Sequence, residues 1–189
     1  MSALLIPPAT IRLAEYERNG LNETPSELVR GRIVGMNPPT PYHGWVCGNV
    51  IGILRDFARA NKLGRVMGND SGIITESEPD TLRGADVAFY SFKRLPSGPF
   101  SRDEYLAVVP EFIVEVLSPS DRWSRVFAKV TEYLNAGVTA VCVLDPNPAS
   151  ACATVYRDDR SPETFAADAE LIVPDVLPGF RVRVGEFWE

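Results

Sequence analysis

The run E-F-I-V-E-V-L-S from Glu111 to Ser118 constrains this chain more than any other segment. Strand alternation sets Ile113, Glu115 and Leu117 on one face and Phe112, Val114 and Val116 on the other, so a single acid interrupts an otherwise apolar strand. Just downstream, S-P-S-D opens a helix with Ser120 or Asp121 as its N-cap. Val126, Phe127, Val130, Tyr133 and Leu134 form its apolar stripe, and Gly137 stops it. A second buried strand follows, Thr139 to Asp145. A helix that returns the chain to the same sheet makes its two flanking strands parallel, so this segment predicts a mixed α/β fold.

The remaining elements extend that unit on both sides. A short helix is expected over 9–19, and Glu27 to Met36 reads as a strand or hairpin limb with Gly31 as its turn. From Pro41 to Lys62, Trp45, Val46, Asn49, Val50, Ile53, Leu54 and Phe57 recur at helical spacing and predict a long helix whose apolar face, Trp45 included, is core. Three strands follow as a meander, Gly64 to Asn69, Ser71 to Thr75 and Ala85 to Phe92, and then a Pro-, Gly- and Ser-rich loop from Lys93 to Tyr105. Two or three β-rich pieces close the chain, over Ala151 to Arg157, Glu170 to Val173 and Phe180 to Val184. The 189 residues suit one domain, with 1–26 as an N-terminal extension and 27–189 as the body.

Charge and cysteine usage exclude several classes. A formal charge of −6 and a pI near 4.9 rule out the broad basic field of a non-specific nucleic-acid binder, so any such contact must be local. Cys47, Cys142 and Cys152 lack C-x-x-C spacing, which argues against a disulfide framework or structural zinc and predicts buried thiols. No run approaches the roughly 18 apolar residues of a membrane span, and the N-terminus lacks a signal-peptide pattern; no membrane partner and a cytoplasmic location are the expectations.

Glu115 demands a partner, because an ionised carboxylate in an apolar strand costs several kcal/mol unless it is paired, protonated or metal-bound. Asp86 poses the same problem between Ala85 and the pair Val87 and Ala88. Two such acids suggest one site, and hard cations such as magnesium want carboxylate oxygens completed by a carbonyl and water. Lys129 lies at the edge of its helix's apolar stripe, away from Arg122, Arg125 and Glu132, where its ammonium can steer a water or offset charge on a phosphoryl group. Plainer readings stand beside these: a salt bridge of the acids with Arg83 or Lys129, a snorkelling lysine, and turn or capping roles for Ser118 and Asp121.

Taken in order, E-L-V-R-G from Glu27, the Met36 segment leading to His43, R-G-A-D-V-A-F around Asp86 and P-E-F-I-V-E-V-L-S-P-S-D around Glu115 resemble the Uma-two family of "putative restriction endonucleases". So do Lys129 with Tyr133, G-V-T-A-V-C-V-L-D-P from Gly137 and L-P-G-F from Leu177. The resemblance implies the PD-(D/E)XK nuclease-like fold, a restriction-endonuclease-like core of helix, mixed sheet, helix and strand with extra β elements at both ends. It also implies that Asp86 and Glu115 bind Mg2+, or alternatively Mn2+, that a main-chain carbonyl near Leu117 completes the shell, and that phosphodiester bonds are hydrolysed. Leu117 stands where that fold expects a lysine, so Lys129 is the migrated substitute; Ala85 replaces the usual proline.

The resulting expectation is a magnesium-dependent endonuclease acting on DNA, in which Asp86 and Glu115 hold the ion, Lys129 serves the attacking water, Glu27 approaches the metal, and Arg83 or His43 contacts a phosphate. A homodimer would let two sites act on two strands. Rival readings are a non-catalytic binding or assembly module that keeps this fold, and a metal-dependent hydrolase of a small phosphorylated molecule.

Overall fold

The computed structural model describes residues 10–19, 21, 23–101 and 103–189. The helix expected over 9–19 forms as α1 (Leu13–Arg18), with residue 9 outside the described residues. Next come β1 (Ser26–Val29) and β2 (Arg32–Gly35), paired antiparallel. Their turn is tight because Arg30 and Gly31 both take positive φ, 49° and 70°, which matches the twist of a two-residue hairpin.

Helix α2 (Pro41–Ala60) starts where the local chemistry directs it: Pro41 fits the first turn, and the Thr40 hydroxyl accepts from the His43 N–H at 3.2 Å. Its buried stripe is Val46, Val50, Leu54 and Ala58. Trp45 is not core, as expected from its spacing, but 44% exposed against Tyr42. Periodicity gives a direction around the helix and not the width of what covers it.

The two strands expected over 64–75 are one, β3 (Gly64–Glu76), paired along its length with β4 (Thr81–Ser91). Asn69 and Asp70 form a bulge between them, both with positive φ, and this polar pair is what makes the sequence read as a break. Beyond β4 lie β5 (Phe112–Val116), α3 (Trp123–Asn135) and β6 (Ala140–Asp145), and β5 and β6 are parallel as the crossover requires. Helix α3 begins after Arg122 without a side-chain cap; the Asp121 carboxylate instead accepts from the Ser118 N–H at 2.7 Å inside the preceding turn. Strands β7 (Cys152–Tyr156) and β8 (Glu163–Ala166) complete the large sheet, and β9 (Glu170–Ile172) pairs with β10 (Arg181–Arg183) in a small one.

Two apolar layers flank the large sheet. Phe112, Val114 and Val116 pack with Val46, Val50 and Leu54 of α2, while Ile113 packs with Val126, Val130 and Tyr133 of α3. Helices α2 and α3 thus cover opposite faces, and Glu115 points to the α3 side, as its alternation with Ile113 dictates. Phe127, placed in the α3 stripe by spacing, is 46% exposed against Trp123. Of the three thiols expected to be buried, only Cys142 is; Cys47 and Cys152 are half-buried. Among the described residues no helix is long and apolar enough to cross a membrane.

One irregularity of the large sheet positions everything that follows. Along one edge β4 pairs with β3; along the other it pairs first with β1, at Leu28 and Leu82, and then with β5, from Val87 and Val114 onward. Between those two partners, Arg83 to Asp86 face a gap with no neighbouring strand on that edge among the described residues. The backbone groups there need other partners, because a buried amide or carbonyl left unpaired costs about as much as a lost hydrogen bond.

Candidate active site

Ionisable side chains supply those partners. The Glu27 carboxylate accepts from the Gly84 N–H at 3.1 Å, and the Gly84 carbonyl accepts from Lys129 Nζ at 2.9 Å and from the Tyr133 hydroxyl at 3.2 Å. On the facing strand, Asp86 Oδ2 accepts from the Val116 N–H at 2.7 Å, standing in for the ladder bond that β4 ceases to make. Gly84 leaves little room for a side chain: a Cβ there would sit 3.0 Å from Cβ of Asp70, so the bulge would have to give.

Around this gap the acids and cations alternate. Glu115 accepts from Lys129 Nζ at 3.0 Å on one oxygen and from the Tyr133 hydroxyl at 2.9 Å on the other. Lys129 also lies 3.4 Å from Glu27. The second oxygen of Glu27 takes Arg83 Nη1 at 2.7 Å, and the rest of that guanidinium forms a fork onto Glu132 at 2.6 and 2.8 Å. Glu27, Arg83, Glu115 and Lys129 are therefore one connected network.

His43 and Asp86 form the adjoining group. His43 Nε2 sits 3.0 Å from the Val116 carbonyl and 3.4 Å from Asp86 Oδ2, while Nδ1 lies 3.5 Å from Cys47 Sγ. The two groups meet at consecutive residues of β5, Glu115 and Val116. Beside His43 opens a cleft of about 480 Å3 bordered by Tyr42, Leu117, Trp123 and Pro146.

Burial tunes these charges. Glu115 is pushed up to about 7, first by desolvation and then by Asp86, against the opposing pull of Lys129 and Tyr133. Desolvation works against the Lys129 charge too, but Glu115, Tyr133 and Glu27 outweigh it and hold the ammonium well above its ordinary value. His43 is raised to about 11, chiefly by its hydrogen bond with Asp86 and then by Cys47, so the ring is an imidazolium at neutral pH. Asp70 is raised by burial and by the neighbouring Asp86.

Asp86, Glu115 and the Val116 carbonyl are hard oxygen donors of the kind a small divalent cation takes. A positive group, the His43 ring, already stands between Asp86 and that carbonyl, which marks the position as one that attracts a cation. Arg83, expected as a phosphate contact, has its guanidinium turned onto Glu27 and Glu132 with 11% of its side chain exposed. The sequence pattern sets Glu132 on the outer side of α3, and it sets Tyr133 in the apolar stripe and, with Lys129, in the family resemblance, without a hydrogen-bonding role. Both stand with Lys129 at i, i+3 and i+4 spacing, which was the available signal. The Gly84 carbonyl had no signal at all.

Residues 13–185 match the sequence family described as "Uma2: Putative restriction endonuclease". No curated protein matches the chain. Among solved structures, a protein of Anabaena variabilis described as a "putative nuclease belonging to DUF820" shares this fold with a TM-score of 0.75 at 19% identity, over 94% of this chain and 97% of the other.

Proposed function

Since the chain belongs to the Uma2 family of "putative restriction endonucleases", we propose that it is a metal-dependent endonuclease acting on DNA, with Asp86, Glu115 and the Val116 carbonyl as the protein ligands of Mg2+ or Mn2+. The observation that carries this reading is the pair of Glu115, buried, and Lys129, half-buried, 3.0 Å apart beside Asp86. Leu117 cannot serve the reaction and packs instead in the apolar layer under α3. Lys129 reaches the same carboxylate from the next helix, which supports its reading as the migrated lysine.

A bound divalent cation would supply Lewis-acid polarisation of a phosphoryl oxygen. The chain's own groups do the rest. Lys129, pinned by Glu115, Glu27 and Gly84, offers a fixed ammonium to orient an incoming water and to offset charge on the phosphoryl group. Arg83 positions Glu27, and through it Lys129, without itself touching substrate. His43, at the mouth of the cleft, carries the charge suited to a substrate phosphate. A local cationic surface also favours nucleic acid despite the overall charge: Arg55, Arg59, Lys62 and Arg65 line a second cleft, where Arg65 stacks on Phe100 at 4.9 Å.

The direct test is cleavage of plasmid DNA by the full chain after chelation and after adding back Mg2+ or Mn2+. Cuts that appear only with the cation are expected. Cation binding without any cleavage would instead establish the non-catalytic module.

The pH dependence has a definite sign. A carboxyl raised above its ordinary value contributes stability that is complete below the ordinary carboxylate range and is lost as pH climbs through about 7 for Glu115. A cation needs the ionised form, so binding must expel that proton. Calorimetric Mn2+ affinity should therefore rise as pH climbs through about 7. Glu115→Gln should lose this rise along with most of the affinity; an affinity that stays constant in the unaltered chain below about 7 would contradict the assignment.

A further inference from the structure

His43 and Cys47 bring to the site a donor chemistry that magnesium does not use. Four residues apart on α2, they share one face of the helix, and Cys47 Sγ approaches His43 Nδ1 at 3.5 Å. One donor atom from each of His43, Cys47 and Asp86 lies within 4.8 Å of the other two. Cys47 is only half-buried, whereas Cys142 lies sealed in the sheet.

We propose that Cys47 Sγ, one ring nitrogen of His43 and a carboxylate oxygen of Asp86 form a binding site for a borderline-soft divalent cation, Zn2+ foremost, and that its occupancy withdraws Asp86 from the hard cation of the hydrolytic site. The metal site stands on this donor cluster alone; only its competitive consequence rests on the proposed nuclease reading.

The chemistry of the donors decides the ion. Thiolate and imidazole suit zinc and discriminate against magnesium, whose small hard shell wants oxygen. Tetrahedral zinc with bonds of about 2.0–2.3 Å holds its donors about 3.5 Å apart, so donors that lie within 4.8 Å must draw together, with the His43 ring turning to present one nitrogen. The proton balance is explicit: Cys47 gives up its thiol proton and His43 the proton of the coordinating nitrogen, both to solvent, as the two metal bonds form. Asp86 is the one donor common to both sites, so two cations there repel each other and contest one carboxylate.

Cobalt reports this site without any need for turnover. The metal-free full chain is titrated with Co2+ while the thiolate-to-cobalt charge-transfer absorption is followed. Zn2+ is then added, and Mn2+ binding is measured separately by calorimetry. The expected result is a one-equivalent absorption that zinc bleaches, together with loss of Mn2+ binding once zinc is present. Cys47→Ala should lack the absorption, keep its Mn2+ binding and native circular dichroism, and need roughly tenfold or more zinc to displace manganese. No absorption in the unaltered chain, or an undiminished one in Cys47→Ala, overturns the proposal. Failure of the nuclease reading looks different: the cobalt absorption forms, yet no cation supports DNA cleavage.

Discussion

Lys129→Met should lower metal-dependent DNA cleavage by about 10²–10³-fold, the scale of losing one preorganised charge at a reacting phosphoryl group, while Mn2+ still binds. Methionine keeps most of the stem that crosses the apolar edge of α3 and removes only the ammonium. That ammonium touches the Gly84 carbonyl at 2.9 Å, Glu115 at 3.0 Å and Glu27 at 3.4 Å, so its position is set by three groups from β1, β4 and β5. Arginine should not rescue the activity, because its planar fork cannot occupy the point between those three oxygens. A KM-against-kcat split separates the possibilities: the loss should fall on kcat. Full activity in Lys129→Met would remove the lysine from the mechanism, and loss of Mn2+ binding would make it a device for placing Glu115 instead.

Arg83→Met should cost about 3–5 kcal/mol of folding stability, the usual penalty for breaking a buried ion pair from one side. The reason is what remains behind. Glu27, with 7% of its side chain exposed, would keep Lys129 alone as a cationic neighbour among the described residues, and Glu132 would lose both of its bonds to the guanidinium. Lysine is again no substitute, since it cannot make the bidentate contact to Glu132 and reach Glu27 together. Denaturant titration gives the value directly, and a loss under about 1 kcal/mol would mean that the triad is effectively solvated. Because Glu27 in turn holds Lys129, cleavage should fall in this variant even at temperatures where it remains folded.

Both predictions concern contacts that local pattern could not supply. Helices α2 and α3 and strands β5 and β6 are legible as periodicity, because a helix or a buried strand imposes its own repeat on the residues that pack. Strand β3 was legible only in pieces, since the Asn69–Asp70 bulge interrupts the repeat without interrupting the pairing. Strand β8, E-T-F-A with three of its four residues exposed, carries almost no apolar pattern and was not foreseen. Trp45 and Phe127 show the opposite failure: correct helical phase, yet only partial cover.

The site divides along the same line. Glu115 and Asp86 announce themselves in the chain, because a charge among apolar neighbours cannot be left unpaired whatever the fold, and that argument needs only the residues beside them. Which cation answers each acid is a matter of distances between segments far apart in sequence: Lys129 to Glu115, Arg83 to Glu27 and Glu132, His43 to Asp86. Those distances follow from the place where β4 exchanges β1 for β5, an event of sheet topology. Coulomb energy and hydrogen bonding fall away within a few ångströms. A lysine that is one helix removed in the chain can thus stand beside the glutamate, while the leucine two residues after it packs elsewhere.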